Sequence, residues 1–160
     1  MDSKNTGQLQ PGFRILEYGT VSYRQMVDLR DKILRKPLGL TFNLEFLESE
    51  RNDILIGCFD ISTSEQPILG CCILSPSADK GCMQLRQMAV AEAFQRAGIG
   101  TLILRFAEQE ALLRNVDKLF LHARAYAVPF YQKMGYQAIG PSFIEVGLPH
   151  FNMEKELQND

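Results

Sequence analysis

The sequence has few of the patterns that mark metal centres, disulfide frameworks or membrane segments. Its 160 residues contain two histidines and four cysteines, Cys58, Cys71, Cys72 and Cys82. No C-x-x-C pair and no second histidine at ligand spacing is present, so we expect buried, reduced thiols and no protein-bound metal. No apolar run approaches the roughly 20 residues that span a bilayer, and the polar N-terminus lacks a signal-peptide core. These absences predict a cytoplasmic protein without a membrane partner.

An excess of charge of either sign is also missing. Seventeen lysines and arginines face 19 aspartates and glutamates, which gives a net charge of −2. Such a balance provides no long-range attraction for phosphate backbones, so we expect no nucleic-acid partner. No period of 20–50 residues repeats, and the length suits one core. We therefore predict a single domain over residues 1–160, with residues 1–12 as a flexible N-terminus.

The hydrophobic patterns predict an α+β fold. Residues 13–18 indicate a first strand, Ser22 and Gln25 form a capping box that starts a helix, and residues 42–47 suit a second, short helix. Three further strands are predicted at residues 53–61, 67–75 and 81–90. The short polar connectors between them favour antiparallel pairing.

After Val90 the hydrophobic period changes to that of a helix, which begins near Ile99. A buried strand, a short helix that ends at Gly135 and two more strands follow, at residues 118–123, 128–134, 136–139 and 150–154. The strand–helix–strand unit at residues 83–123 requires parallel neighbours, so the sheet is predicted to be mixed.

The segment from Val90 to Thr101 has the pattern of an anion site. Its glycines, Gly98 and Gly100, open a long amphipathic helix whose first N–H groups lack intrahelical acceptors, and Arg96 can add a charged contact. The alternative is that the two glycines merely ease a tight turn. A nucleotide-binding loop is disfavoured, because no G-x-x-x-x-G-K-S/T is present and Ile103 replaces the third glycine of G-x-G-x-x-G.

Two motifs resemble the GNAT family of N-acetyltransferases. Residues 95–100, Gln-Arg-Ala-Gly-Ile-Gly, match its diphosphate-loop signature Q/R-x-x-G-x-G/A, and residues 127–136 resemble its A-x-x-F-Y-x-x-x-G-F/Y element. The resemblance is strong over residues 81–140. It implies a three-layer α/β/α fold with a mixed, mostly antiparallel, splayed central sheet. Pro149, His150 and Met153 are weakly similar to the small, single-domain, bacterial ElaA-like branch.

The resemblance also implies acetyl-CoA as a co-substrate and a small-molecule or peptide amine as the acceptor. Dimerisation through a sheet edge is compatible with such a fold. Many relatives have asparagine where Arg124 stands, so this arginine either binds the cofactor's phosphates or points to solvent. The cofactor-binding residues implied are Met88, Ala89, Val90, Gln95, Arg96, Ala97, Gly98, Ile99, Gly100, Thr101, Arg124 and Phe130.

Tyr131 is the catalytic residue that the resemblance implies. The family's tyrosine at this position can protonate the departing CoA thiolate, which requires a neutral hydroxyl near the sulfur. The alternative is a tyrosine that fills the core. No histidine or helix start lies beside any cysteine in the sequence, so direct transfer is favoured over an acyl-cysteine intermediate.

The general base is left open. Many relatives use a glutamate on the central strand, whereas this strand offers Gln84, Arg86 and Gln87. The remaining candidates are a water chain, Glu145 and His150, and Arg86 is a further acceptor-side candidate. His150 is equally compatible with a structural, hydrogen-bonded role, and His122 is expected in the core rather than at the cleft. The missing glutamate also suits a non-catalytic acyl-CoA-binding module.

Overall fold

A computed structural model describes residues 8–158 of the chain. They form two compact units. The first comprises the described residues up to Ile73 together with Gln87–Phe106, and the second comprises Leu74–Arg86 together with the described residues from Ala107 onward. Of the predicted flexible N-terminus, residues 1–7 lie outside the described residues, and the first strand begins at Pro11.

Seven strands lie within the described part of the chain, in the hydrogen-bonded order β1-β2-β3-β4-β5-β7-β6. The β1–β2, β5–β7 and β6–β7 pairs are antiparallel, and β4–β5 is parallel, which confirms the predicted mixed sheet. The strands are β1 (Pro11–Leu16), β2 (Ile54–Asp60), β3 (Ile68–Pro76), β4 (Cys82–Val90), β5 (Lys118–Arg124), β6 (Gln137–Glu145) and β7 (Leu148–Glu156).

Four α-helices lie within residues 8–158: α1 (Val21–Arg30), α2 (Leu44–Glu48), α3 (Ile99–Leu113) and α4 (Val128–Lys133). Thr20 caps α1, because its hydroxyl oxygen accepts the Tyr23 N–H at 3.3 Å. The predicted capping box of Ser22 and Gln25 is therefore wrong. Thr20 has extended backbone angles and precedes the first helical residue, which is the geometry that an N-cap requires.

The chain does not leave its helical path directly after α1. A π-helical turn (Asp31–Arg35) and a 3-10 turn (Lys36–Leu38) follow, and Gly39 ends them with a φ of +71°. Pro37 stands at the start of the 3-10 turn, where its missing N–H is no loss. The helical path therefore tightens at Pro37 before it ends.

A buried ion pair holds the first unit together around α1. The guanidinium of Arg30 donates from Nη1 to Oε1 of Glu50 at 2.9 Å and from Nη2 to Oε2 at 2.6 Å, and both side chains are fully buried. The Tyr23 hydroxyl donates to the same carboxylate at 2.7 Å. Burial and this carboxylate raise the pKa of Tyr23 well above its usual range. The pair therefore ties α1 to the turn that follows α2.

The start of α3 packs closely on β3 in the first unit. A Cβ added to Gly70 would lie 2.6 Å from a terminal methyl of Ile103 and 2.9 Å from the Ala89 carbonyl oxygen. Glycine at this position therefore lets the helix lie directly on the strand. Phe106 stacks on Phe13, with ring centroids 4.6 Å apart.

The second unit is built around β5. Its pairing with β4 runs from Cys82 opposite Lys118 to Leu85 opposite Leu121, and β4 then continues to Val90. On the other side, β5 pairs with β7 along its whole length. Among residues 8–158, no helix is long and apolar enough to cross a membrane.

The last hairpin is longer than the sequence predicts. The strand predicted at residues 136–139 runs from Gln137 to Glu145, with an irregularity in pairing between Ile139 and Phe143. Gly140 and Pro141 interrupt the hydrophobic pattern, but β6 is an edge strand, where such residues are tolerated. A two-residue turn, Val146 and Gly147, joins β6 to β7.

Candidate functional site

The loop between β4 and α3 is held in a defined shape. The Gln95 side-chain amide donates to the Val90 carbonyl at 3.0 Å, which links the middle of the loop back to the end of β4. Arg96 and Gly98 have φ values of +67° and +83°. Residues 95–98 are exposed, so this turn faces solvent.

The start of α3 presents main-chain donors to this exposed turn. The first helical hydrogen bond runs from the Leu102 N–H to the Gly98 carbonyl at 3.2 Å. The N–H groups of Ile99, Gly100 and Thr101 therefore have no acceptor inside the helix, and the dipole of a 15-residue helix adds partial positive charge there. A Cβ at Gly98 would meet no atom within 4 Å. The geometry is that of an anion site at an open surface.

The end of β4 departs from regular strand geometry just before the three residues predicted to pair with the cofactor. Gln87 has a φ of +57°, which is uncommon for a residue with a side chain. Its side-chain oxygen accepts from Nε of Arg30 at 3.2 Å, so the buried ion pair reaches this position. Ala89 is buried, while Met88 and Val90 are half-buried. The distortion at Gln87 could not be predicted from the sequence, because neither glycine nor proline marks it.

Tyr131 lies in α4, within the second unit, and is 6% exposed. Its ring makes edge-on contacts with Phe130 at 5.0 Å and with Tyr136 at 5.8 Å between centroids. The Tyr136 hydroxyl in turn donates to Glu108 at 2.8 Å. These contacts fix the orientation of the Tyr131 ring and are compatible with both a catalytic and a core role.

The base candidates His150 and Glu145 lie close together in the second unit, and His122 contacts Glu145. His150 is 4% exposed, and its Nδ1 lies 2.9 Å from the Leu148 carbonyl, which matches the structural alternative. Its Nε2 lies 4.0 Å from Oε2 of Glu145. The other oxygen of Glu145 lies 2.9 Å from Nδ1 of His122. The core position expected for His122 is wrong, because alternation along β5 turns it away from buried Leu121.

The two arginine candidates have separate surroundings. Arg86 donates from Nη1 to the Ser75 hydroxyl at 3.1 Å, and Arg124 is half-buried on β5, opposite His150 of β7. These contacts do not show what either arginine would bind.

The cysteines are not activated nucleophiles. Burial raises the pKa of Cys58 to about 11 and that of Cys71 to about 12, and it raises the pKa of Cys72 well above its usual range. Cys82 is half-buried, and its pKa is also raised. Since the thiolate is the reactive form, the four thiols are poorly suited to covalent acyl transfer at neutral pH.

The chain resembles proteins of known family. Residues 46–157 match the family model described as an acetyltransferase (GNAT) domain. An uncharacterized N-acetyltransferase of Bacillus subtilis (strain 168), YjcF, is 32% identical over 77 residues, which are 48% of this chain and 55% of that protein. The chain thus spans about half the length of this curated relative.

Solved structures show the same fold. Escherichia coli ElaA superposes with a TM-score of 0.77 at 16% identity and covers 92% of this chain and 100% of its own. A GNAT family acetyltransferase from Elizabethkingia anophelis with acetyl-CoA bound gives 0.68 at 21% identity, over 92% and 98% of the two chains. These structures share the fold, and the family match over residues 46–157 establishes that the chain belongs to the GNAT acetyltransferase family.

Proposed function

We propose that this chain transfers the acetyl group of acetyl-CoA to the primary amine of a small molecule or peptide. The observation that carries the proposal is the exposed start of α3, where three main-chain N–H groups without helical acceptors follow the loop that Gln95 closes. Membership of the GNAT family supports reading this anion site as a site for the CoA diphosphate.

In this proposal the chain binds the cofactor mainly through its backbone. Main-chain groups of residues 88–90 pair with the pantetheine amides, and the N–H groups of residues 99–101 bind the diphosphate. The φ of +57° at Gln87 supports this role, because a distorted strand leaves main-chain groups outside the regular ladder. Arg96 adds a charge-assisted contact, and Arg124 and Phe130 complete the cofactor-binding set.

Tyr131 acts as the general acid. The amine nitrogen attacks the thioester carbonyl carbon, the C–N bond forms, the C–S bond breaks, and Tyr131 delivers its proton to the leaving sulfur. The ring contacts with Phe130 and Tyr136 support this role, since an acid must be held in one orientation. The raised thiol pKa values favour direct attack over an acyl-cysteine intermediate.

Two measurements on the purified chain test the proposal. Calorimetry with coenzyme A tests binding, and CoA release from acetyl-CoA in the presence of polyamines, amino sugars, amino acids and short peptides tests transfer. We expect binding together with amine-dependent release. Binding with no release above hydrolysis would indicate a non-catalytic acyl-CoA-binding module, and absence of binding by folded protein would refute the assignment of the loop.

A further inference from the structure

Three hydrogen-bond acceptors share one face of the β5–β7–β6 part of the second unit. Glu145 ends β6 and contacts His122 on β5. Asn152 on β7 is the direct cross-strand partner of His122, so the two side chains lie on the same face. The third acceptor is Nε2 of His122, as its hydrogen bond to Glu145 shows.

The contact with Glu145 determines which nitrogen of His122 carries the proton. A carboxylate accepts hydrogen bonds, so the 2.9 Å contact with Oε1 places the proton of the neutral ring on Nδ1. Nε2 then carries the lone pair. The ring is held edge-on against Phe143 at 5.0 Å, and 32% of the side chain is exposed. This is the arrangement of an oriented histidine base.

Asn152 has an unused acceptor on this face. Its Oδ1 is the one buried side-chain oxygen or nitrogen within residues 8–158 that lacks a hydrogen-bond partner. Buried polar atoms are normally paired, so an unpaired one calls for a donor from outside the chain. A protonated primary amine carries three donors and no acceptor, which complements these three acceptors.

The turn after Glu145 has a strained backbone, and it positions the Glu145 side chain. Val146 has a φ of +46° and Gly147 one of +76°, the signs of a type I′ hairpin turn. A β-branched residue in the left-handed region is a genuine outlier, and such strain tends to occur at functional sites. The turn sets the carboxylate of Glu145 against both histidines.

Other titratable groups lie near this face. Glu154, opposite Phe120 on β5, pairs with Lys118 at 3.1 Å. His150 donates its Nδ1 proton to the Leu148 carbonyl, because a carbonyl can only accept. Arg124 is the cross-strand partner of His150, and Arg86 donates to Ser75.

We propose that His122 is the general base that deprotonates the acceptor amine, that Glu145 orients it, and that Asn152 accepts a hydrogen bond from the same ammonium group. The inference rests on the proposed acetyl transfer and assigns the residues that receive the amine of its acceptor. Of the three ammonium protons, one passes to Nε2 of His122, one restores the proton that Tyr131 gives to the sulfur, and one stays on the amide nitrogen.

Two variants separate the roles. His122→Asn keeps a donor toward Glu145 but removes the base, so kcat falls by about 100-fold while the Kd for acetyl-CoA is unchanged. A single base makes kcat/KM fall at low pH, and we expect this variant to lose that dependence. Asn152→Leu raises the KM for the amine and largely keeps kcat, whereas Asn52→Leu, at an exposed turn, changes neither.

The outcomes distinguish this inference from the proposed function. If the wild type shows amine-dependent CoA release and the kcat and KM of His122→Asn and Asn152→Leu lie within about twofold of its values, the roles proposed for His122 and Asn152 are wrong. The proposed acetyl transfer is then unaffected. A wild type that binds CoA but releases none with any amine overturns both. Since the chain has two histidines, His122→Asn also assigns the imidazole ¹⁵N signals. We expect the Nδ1–H tautomer at His122, and an Nε2–H tautomer would contradict the assignment. This measurement needs no acceptor amine.

Discussion

Arg30 and Glu50 lie 20 residues apart in the sequence and form a two-pronged ion pair from which water is excluded. The same guanidinium holds the side chain of Gln87, the distorted residue of β4. One buried cation thus connects α1, the turn after α2 and the strand that precedes the loop between β4 and α3.

Replacing Glu50 with glutamine should destabilise the fold strongly. The substitution leaves Arg30 charged and buried without its counter-charge, which typically costs about 3–5 kcal/mol. Urea denaturation followed by circular dichroism measures the loss. Asp31→Asn is the matched control, because Asp31 pairs at 3.6 Å with a lysine that is 65% exposed. We expect that control to lie within about 0.5 kcal/mol of the wild type, and equal losses in both variants would contradict the role given to burial.

Tyr131→Phe should slow turnover without weakening cofactor binding. The variant removes the hydroxyl but keeps the ring contacts with Phe130 and Tyr136. We expect kcat to fall roughly 100-fold, with the Kd for CoA from calorimetry unchanged. An unaltered kcat would remove Tyr131 from the role of general acid.

Gly98→Ala should weaken CoA binding through the backbone alone. Its φ of +83° is costly for alanine, and open space around it excludes a steric clash. The strain, about 1–2 kcal/mol, favours a shifted loop and a Kd raised about tenfold. Gly19→Ala imposes the same strain at φ +85°, also in open space, beside α1. A similar loss of affinity in both variants would mean that Gly98 has no special part in binding.

Asp60 should make the fold sensitive to acid. Its Oδ1 accepts from the Ser62 hydroxyl at 2.7 Å, the Ser62 N–H at 3.0 Å and the Gln10 N–H at 3.2 Å, and these bonds lower the pKa of the carboxyl below its usual value. A lowered folded-state pKa stabilises the fold above the unfolded-state pKa of about 3.9, and this contribution is lost as the pH falls through the folded value. The Tm of Asp60→Asn should therefore lie below that of the wild type at pH 7, and the difference in Tm should close toward pH 3. A gap independent of pH would rule out the carboxylate as its source.

Val146→Asn should stabilise the last hairpin. Asn-Gly is the preferred sequence for a type I′ turn, and asparagine tolerates the left-handed region that valine resists. We expect a gain of about 1 kcal/mol in the free energy of unfolding. A loss of stability would show that Val146 packs favourably enough to offset its strain.

The sequence predicted the elements whose signal is local. The 3.6-residue period from Ile99 and the breaker at Gly135 gave α3 and α4 to within a residue, and two motifs gave the family. The alternation of Leu119, Leu121 and Ala123 also contained the information that His122 faces the other side of β5.

What the sequence did not predict depends on contacts between distant residues. Nothing local links Arg30 to Glu50, and the positive φ of Gln87 occurs at a residue type that does not favour it. The edge position of β6, which permits Gly140 and Pro141 inside a strand, follows only from the order of the whole sheet.

The burial of the cysteines affects a colorimetric assay of CoA release. Chromogenic disulfide reagents respond to thiolates, and three of the four cysteines are buried with raised pKa values, so the folded chain should contribute colour mainly through Cys82. A constant rate of increase would then report the release of coenzyme A, and a sudden rise toward four thiol equivalents per chain would report denaturation of the protein.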